Sequence, residues 1–172
     1  MLPGPGRRPG GRPDGPGGPR VEREAPQGLR SLRAVIVDTG PLVAFLNRRD
    51  RYHSWAVEQF GSLPPPLLTC EPVLSETAYL VRDLHGGPEA VLELVARGVV
   101  SPTFRLLDEI AAVKTVVRRY GRGLADACLV RMSEIHSDCV LLTIDSEFRD
   151  VYRRHGRKSI PTRLPPKARS RR

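Results

Sequence analysis

Residues 34–41 read AVIVDTGP, in which four consecutive apolar residues end at an aspartate and a Gly-Pro pair. A short apolar run bounded by turn residues is typical of a strand buried on both faces of a parallel sheet. Similar runs occur at Leu67–Thr69 and Cys139–Ile144, and Val99–Leu106 holds a further strand candidate interrupted by Pro102. Because segments with helical spacing separate these runs, the sequence predicts an α/β fold with helices on both faces of a parallel sheet.

The segments between the strands have apolar residues at the spacing of amphipathic helices. One of them runs from Glu71 to Arg82, with Val73, Thr77 and Leu80 as its expected inward positions. The pattern predicts the full set of helices at Leu42–Asn47, Ser54–Phe60, Glu71–Arg82, Pro88–Arg97, Asp108–Tyr120, Leu124–His136 and Ser146–Arg154.

The net charge of +9 is concentrated near the two ends of the chain. Residues 1–33 carry seven arginines and three acids, a sum of +4, and residues 161–172 carry five basic residues and no acid, a sum of +5. The region between them has 16 basic and 16 acidic side chains. We therefore expect a disordered Gly/Pro/Arg-rich leader at 1–32, one domain at 33–160 and a basic tail at 161–172. Arginine clusters at 48–51, 118–122 and 153–158 could still form local basic patches.

Other features of the composition exclude several classes of protein. No apolar run approaches the roughly 18 residues of a membrane span, and the first thirty residues lack the apolar stretch of a signal peptide. The cysteines Cys70, Cys128 and Cys139 are scattered, which argues against a zinc site or a disulfide framework. We therefore expect a cytoplasmic protein that does not associate with membranes.

Two acidic residues directly follow predicted strands. Asp38 ends the first strand and Asp145 the last, and ligands of open α/β sheets bind beyond the carboxyl ends of the strands. Either residue alone could simply cap the helix that follows it, because aspartate is a favoured N-cap. The occurrence of both at the same predicted edge favours a functional site.

Two further acids lie on predicted helices, and each has a structural alternative. Glu76 falls at the margin of the apolar stripe of its helix, where an arginine, a metal ion or water could compensate its charge. Asp126, flanked by alanines, could be a ligand or an acid stabilised by the helix dipole. Thr143 points to the same side of its strand as Asp145, where it could hold a water or satisfy a backbone group. Arg122 precedes Asp126 closely enough to suggest a phosphate contact.

Crowded carboxylates repel one another, and binding a hard cation such as Mg²⁺ or Mn²⁺ relieves that repulsion. The four acidic segments also resemble the motifs of PIN domains. Val37–Ala44 resembles the opening motif of that family, and Leu74–Glu76, Leu124–Ala127 and Leu142–Asp145 resemble the segments that carry its later acids. The resemblance spans about residues 34–160, and residues 50–56 are similar to a stretch common in VapC-like members.

This resemblance implies a three-layer, Rossmann-like PIN domain that hydrolyses RNA phosphodiester bonds and leaves 5′-phosphate and 3′-hydroxyl ends. It implies that Asp38 and Asp126 are direct ligands of Mg²⁺ or Mn²⁺, that Glu76 and Asp145 complete the site, and that Thr143 supports it. Small bacterial members of the family are mostly VapC-type toxins, which form homodimers and are silenced by a cognate antitoxin.

Two other functions remain open from the sequence. The first is a housekeeping RNA-processing nuclease without an antitoxin. The second is a non-catalytic receiver-like interaction domain, since receiver domains also use clustered acids, although the helix carrying Glu76 and the arrangement around Asp126 do not suit them.

Overall fold

The computed structural model describes residues 34–166 of the chain. The leader expected at 1–32 lies outside the described residues, as do the last six residues of the expected tail. No helix in the described part is long and apolar enough to cross a membrane.

Five parallel strands form the central sheet, and helices flank it. The strands are β1 (Ala34–Val37), β2 (Leu67–Thr69), β3 (Val100–Pro102), β4 (Cys139–Leu142) and, at the edge, β7 (Thr162–Arg163). Their order across the sheet is β3-β2-β1-β4-β7, so the first strand lies at the centre between β2 and β4. Val37 pairs with Leu142, which aligns the ends of β1 and β4. Both of these strands are almost completely buried, in agreement with their continuous apolar sequences.

Six helices occupy the positions that the apolar spacing predicts, with shifts of a few residues at their ends. They are α1 (Thr39–Leu46), α2 (His53–Ser62), α3 (Glu71–Leu80), α4 (Gly87–Ala96), α5 (Leu106–Tyr120) and α6 (Leu124–Ile135). On α3, Val73 and Thr77 are buried as expected, but Leu80 is 51% exposed. Leu80 is the last residue of the helix, and the chain turns into the core only at the next residue, Val81.

The helix predicted at 146–154 is wrong over its second half. The structure has a single turn, α7 (Glu147–Asp150), followed by an antiparallel hairpin of β5 (Arg153–Arg154) and β6 (Lys158–Ser159). Contacts with distant parts of the chain outweigh the local helical spacing here. Tyr152 is fully buried, and the Arg154 side chain donates to the backbone oxygens of Ser137 and Cys139.

The boundary expected at residue 160 also needs correction. Strand β7 belongs to the sheet, so part of the segment expected to be a tail is an element of the fold. The outer edge of β4 carries backbone N–H groups that need acceptors. Leu141 N–H donates to the carbonyl of Pro161 at 2.8 Å, and Thr143 N–H donates to that of Arg163 at 3.2 Å. Pro161 can flank this edge because the bond uses its carbonyl.

Candidate active site

The candidate site lies where the strand order reverses. The chain passes from β1 outward to β2 and β3, and then returns to place β4 on the other side of β1. Such a reversal opens a crevice beyond the carboxyl ends of the strands, which is where α/β sheets bind ligands. Asp38 and Thr143 meet at this point, because Asp38 N–H donates to the carbonyl of Leu142 at 3.0 Å.

Asp38 is both a helix cap and a member of an acidic cluster. Its Oδ1 accepts from Thr39 N–H at 2.7 Å, which caps α1, and its Oδ2 accepts from the Thr143 hydroxyl at 2.7 Å. Burial, together with smaller contributions from the negative charges of Asp126 and Glu76, raises the pKa of Asp38 to about 7 despite these two hydrogen bonds. The capping interpretation is therefore correct but incomplete, since an ordinary cap has no need of neighbouring acids.

Thr143 links the acids that follow β1 and β4. Its side chain is fully buried, donates to Asp38, and accepts from the backbone N–H of Asp145 at 2.9 Å. Asp145 in turn accepts from Glu147 N–H at 2.8 Å through its Oδ1. The Thr143 hydroxyl thus satisfies a backbone group and orients a carboxylate at the same time.

Glu76 reaches the cluster from α3. Its Oε2 accepts from the Thr39 hydroxyl at 2.9 Å, and its charge contributes to the raised pKa values of Asp38 and Asp126. The side chain is exposed on the wall of the adjoining groove. Among the described residues Glu76 thus accepts a hydrogen bond from Thr39, and none of the ion pairs within residues 34–166 involves it.

Asp126 lies in the first turn of α6 and is half-buried. Burial raises its pKa, and the charges of Asp145, Glu76 and Glu147 add to this effect. The Tyr152 hydroxyl opposes the shift by donating to Asp126 Oδ2 at 2.9 Å. Tyr152 was not predicted as a site residue, because the apolar spacing of the sequence assigned it to a helix. The available signal was a tyrosine in a core position, whose hydroxyl needs a partner when it is buried.

Arg122 lies close to the acids but is already paired. Its guanidinium forms a 2.9 Å ion pair with Glu147. The phosphate contact suggested for Arg122 would require it to exchange this partner or to bind with its remaining donors.

A groove of about 890 Å³ opens beside Glu76 and Asp126, between α3 and the first turns of α5 and α6. Its walls include the exposed apolar side chains of Tyr79, Leu107 and Leu124. A molecule lying in the groove would therefore contact both these apolar side chains and the carboxylates of Glu76 and Asp126.

Comparison with known proteins agrees with this geometry. The family model of the PIN domain matches residues 35–154, which is most of the region that the structure describes. The chain belongs to the PIN-domain family. This PIN domain also resembles the crystal structure of the Mycobacterium tuberculosis toxin VapC20, which cleaves the sarcin-ricin loop. The match has 26% sequence identity and a TM-score of 0.55, and it covers 63% of this chain and 87% of VapC20. A search of curated proteins found no significant match.

The family assignment confirms the fold expected from the sequence, a parallel sheet between helices in the PIN arrangement. It also places the chain in a family of nucleases, and it therefore argues against the receiver-like interaction domain. The four acids named from the sequence lie at one end of the sheet in this PIN domain, as their mutual effects on pKa show.

The PIN domain offers the donor chemistry that a hard cation needs, although its acids do not form a complete set of ligands. Within residues 34–166 no group of three or more His, Cys, Asp or Glu side chains is arranged to hold a metal ion. Mg²⁺ usually keeps several waters and needs only one or two carboxylates. The raised pKa values of Asp38 and Asp126 show carboxylates that a nearby positive charge would stabilise. The residues therefore fit a hydrated divalent cation.

Tyr152→Phe should lower the free energy of unfolding by about 2 kcal/mol, because it removes a hydrogen bond to a charged group. It should also raise the pKa of Asp126, since that bond holds the carboxylate in its charged form. Denaturant unfolding and an NMR titration of the carboxyl group, both without divalent cations, measure these effects. Tyr79→Phe is the matched control, because the Tyr79 side chain is 63% exposed and its hydroxyl makes no hydrogen bond within residues 34–166. Equal stabilities of the two variants would contradict the role of Tyr152.

Proposed function

We propose that this PIN domain is an endoribonuclease that depends on Mg²⁺ or Mn²⁺, and that it acts as the toxin of a VapBC-like toxin–antitoxin pair. The convergence of Asp38, Glu76, Asp126 and Asp145 at the reversal of the sheet carries the proposal. The similarity to VapC20 supports it.

The chain contributes a charged and oriented set of oxygen atoms to this chemistry. Asp38 and Asp126 would hold the cation, each oriented by one hydroxyl donor, from Thr143 and Tyr152 respectively. Glu76 and Asp145 would complete the site through water. When bound, the cation supplies activation of a water molecule and neutralises the charge that develops on the phosphodiester. Because the pKa of Asp38 is raised to about 7, cation binding should be linked to release of a proton from this carboxyl group near neutral pH.

The groove beside the acids suits an antitoxin segment with apolar and cationic side chains. Tyr79, Leu107 and Leu124 offer an apolar wall, while Glu76 and Asp126 attract a positive charge. A segment bound there would cover the carboxylates and block access of RNA. A homodimer remains a prediction from the family resemblance, which light scattering of the purified protein would test.

A map of new RNA 5′ ends in bacteria that express the protein tests this function. We expect cleavage at a few defined sites, together with growth arrest, and we expect both to be lost in Asp38→Asn. The amide keeps an acceptor for Thr39 N–H but lacks the charge that a cation needs. Identical maps from the two soluble proteins would refute a ribonuclease activity that depends on Asp38.

Toxin and housekeeping nuclease differ in their genetic context and in their effect on growth. A small gene directly upstream whose product restores growth on co-expression would support the toxin. Cleavage without growth arrest, and without such a neighbouring gene, would support the RNA-processing alternative.

A further inference from the structure

Two of the arginine clusters in the sequence meet on one surface of the folded domain. The backbone N–H of Arg153 donates to the Tyr120 hydroxyl at 3.1 Å, which brings the start of the β5–β6 hairpin to the end of α5. Arg119 lies against the turn of the same hairpin, where a Cβ on Gly156 would overlap its guanidinium. The segments 118–122 and 153–158 thus form one basic region that neither segment shows alone.

A depression of about 250 Å³ lies at this junction, and we call it the hairpin pocket. Its lining includes Arg119, Tyr120, Glu134, Arg153 and His155. Gly156, in the turn of the hairpin, has a φ of 70°, a backbone conformation that favours glycine.

The positive charges of the hairpin pocket lack carboxylate partners. Arg119 makes no hydrogen bond or ion pair within residues 34–166, and Arg153 donates only to the backbone carbonyls of Arg149, Asp150 and Tyr152. The acid in the lining, Glu134, is nearly buried and already accepts from Arg131 at 3.0 Å and from the backbone N–H of His155 at 2.7 Å.

Arg131 also pairs with Glu109, so the partly buried group of Glu134, Arg131 and Glu109 has a charge of −1, against +2 for Arg119 and Arg153 together. Arg118, Arg157 and Lys158 are exposed nearby in sequence and also form no ion pair in the described part of the chain. The surface therefore offers a net positive charge to an anion.

The hairpin pocket is separated from the candidate active site by one pair of aromatic side chains. The rings of Tyr120 and Tyr152 meet edge to face with their centroids 5.0 Å apart. Tyr120 lines the pocket, and the Tyr152 hydroxyl donates to Asp126. The pocket therefore lies one aromatic pair away from the acids, and its guanidinium groups are well suited to bind a phosphate of a polyanion.

We propose that the hairpin pocket binds a backbone phosphate of the RNA substrate outside the site of cleavage, with Arg119 as the principal contact. This inference rests on the proposed function for the identity of the polyanion. A contact of this kind positions the strand and adds affinity without reading its sequence.

Binding of a short fluorescein-labelled single-stranded RNA, followed by anisotropy over a range of salt concentrations, tests the proposal. The measurement uses the Asp126→Asn background, in which RNA should stay intact. Adding Arg119→Gln should weaken binding severalfold and reduce the slope of log affinity against log salt by about 0.7, the value for one phosphate on a single strand. Arg119→Lys keeps the charge and should retain most of the slope.

Lys114→Gln is the matched control, because it removes one positive charge from the same helix at an exposed position outside the pocket lining. Thermal unfolding verifies that all variants fold. If Arg119→Gln binds RNA with the affinity and slope of Lys114→Gln, or if the parent protein binds no RNA, the proposal is wrong.

Cleavage is measured separately with Asp126 intact. If the protein cleaves RNA but Arg119→Gln does not change RNA binding, only the proposed role of the hairpin pocket is wrong. If Arg119→Gln reduces the salt slope of binding but the protein does not cleave RNA, only the proposed nuclease activity is wrong.

Discussion

Asp126→Asn should reduce RNA cleavage by the purified protein at least on the order of a hundredfold, the scale on which loss of one transition-state charge interaction acts. Asparagine can still accept the hydrogen bond from Tyr152, so the fold around α6 should persist. What is lost is a negative charge in a cluster whose members already disfavour one another's ionisation. Cleavage rates of a labelled RNA at saturating Mg²⁺ or Mn²⁺ measure the effect.

Asp83→Asn provides the control for this substitution. Asp83 is 85% exposed and lies outside the groove and the acidic cluster, and its one ion pair within residues 34–166 is a 3.7 Å contact with Arg82. Its replacement should leave cleavage unchanged. If Asp126→Asn and Asp83→Asn cleave RNA equally well, the assignment of Asp126 to the cation site is wrong.

Without divalent cations, the free energy of unfolding should fall by on the order of 4 kcal/mol between about pH 4 and pH 7 because of Asp38. Its pKa is about 7 in the folded state and close to the ordinary value of 3.8 when unfolded. Below pH 4 both states hold the proton, and the stabilising contribution is fully present. Between these values only the folded state keeps it, so stability decreases as pH rises and the contribution is lost above pH 7.

Asp38→Asn removes this titration and should flatten the pH profile of stability, so that the variant is more stable than the wild type at pH 8 in a chelator. Thermal unfolding across pH, with and without Mg²⁺, provides the measurement. Mg²⁺ should stabilise the wild type above pH 7 and have little effect on the variant. Parallel pH profiles of the two proteins would show that Asp38 keeps an ordinary pKa in the folded protein.

Local pattern was sufficient for four strands of the parallel sheet, for six helices of the described region and for the placement of two of the acids. Apolar runs show where strands end, and residues directly after parallel strands of one sheet must meet at one edge. Asp38 and Asp145 could therefore be paired from sequence alone. Glu76 and Asp126 needed the resemblance to PIN domains, because a helical acid has many structural explanations.

The bonds that orient the acids could not be predicted in this way, although Thr143 itself was expected to support the site. Thr143 binds Asp38 across 105 residues and Tyr152 binds Asp126 across 26, and such contacts depend on how distant elements pack. The hairpin at 153–159 was missed for a related reason. Its local spacing favours a helix, but burial of Tyr152 and the bonds of Arg154 to the end of α6 and β4 outweigh that preference.

The distribution of charge likewise separates what the sequence determines from what only the tertiary structure decides. The sequence correctly places the excess positive charge near the two ends of the chain and leaves residues 34–160 neutral. Only the tertiary structure joins the clusters at 118–122 and 153–158, through the bond between Tyr120 and Arg153. Net charge is a sum over residues, whereas a binding surface depends on which side chains meet and which of them lack partners, and that is decided by packing.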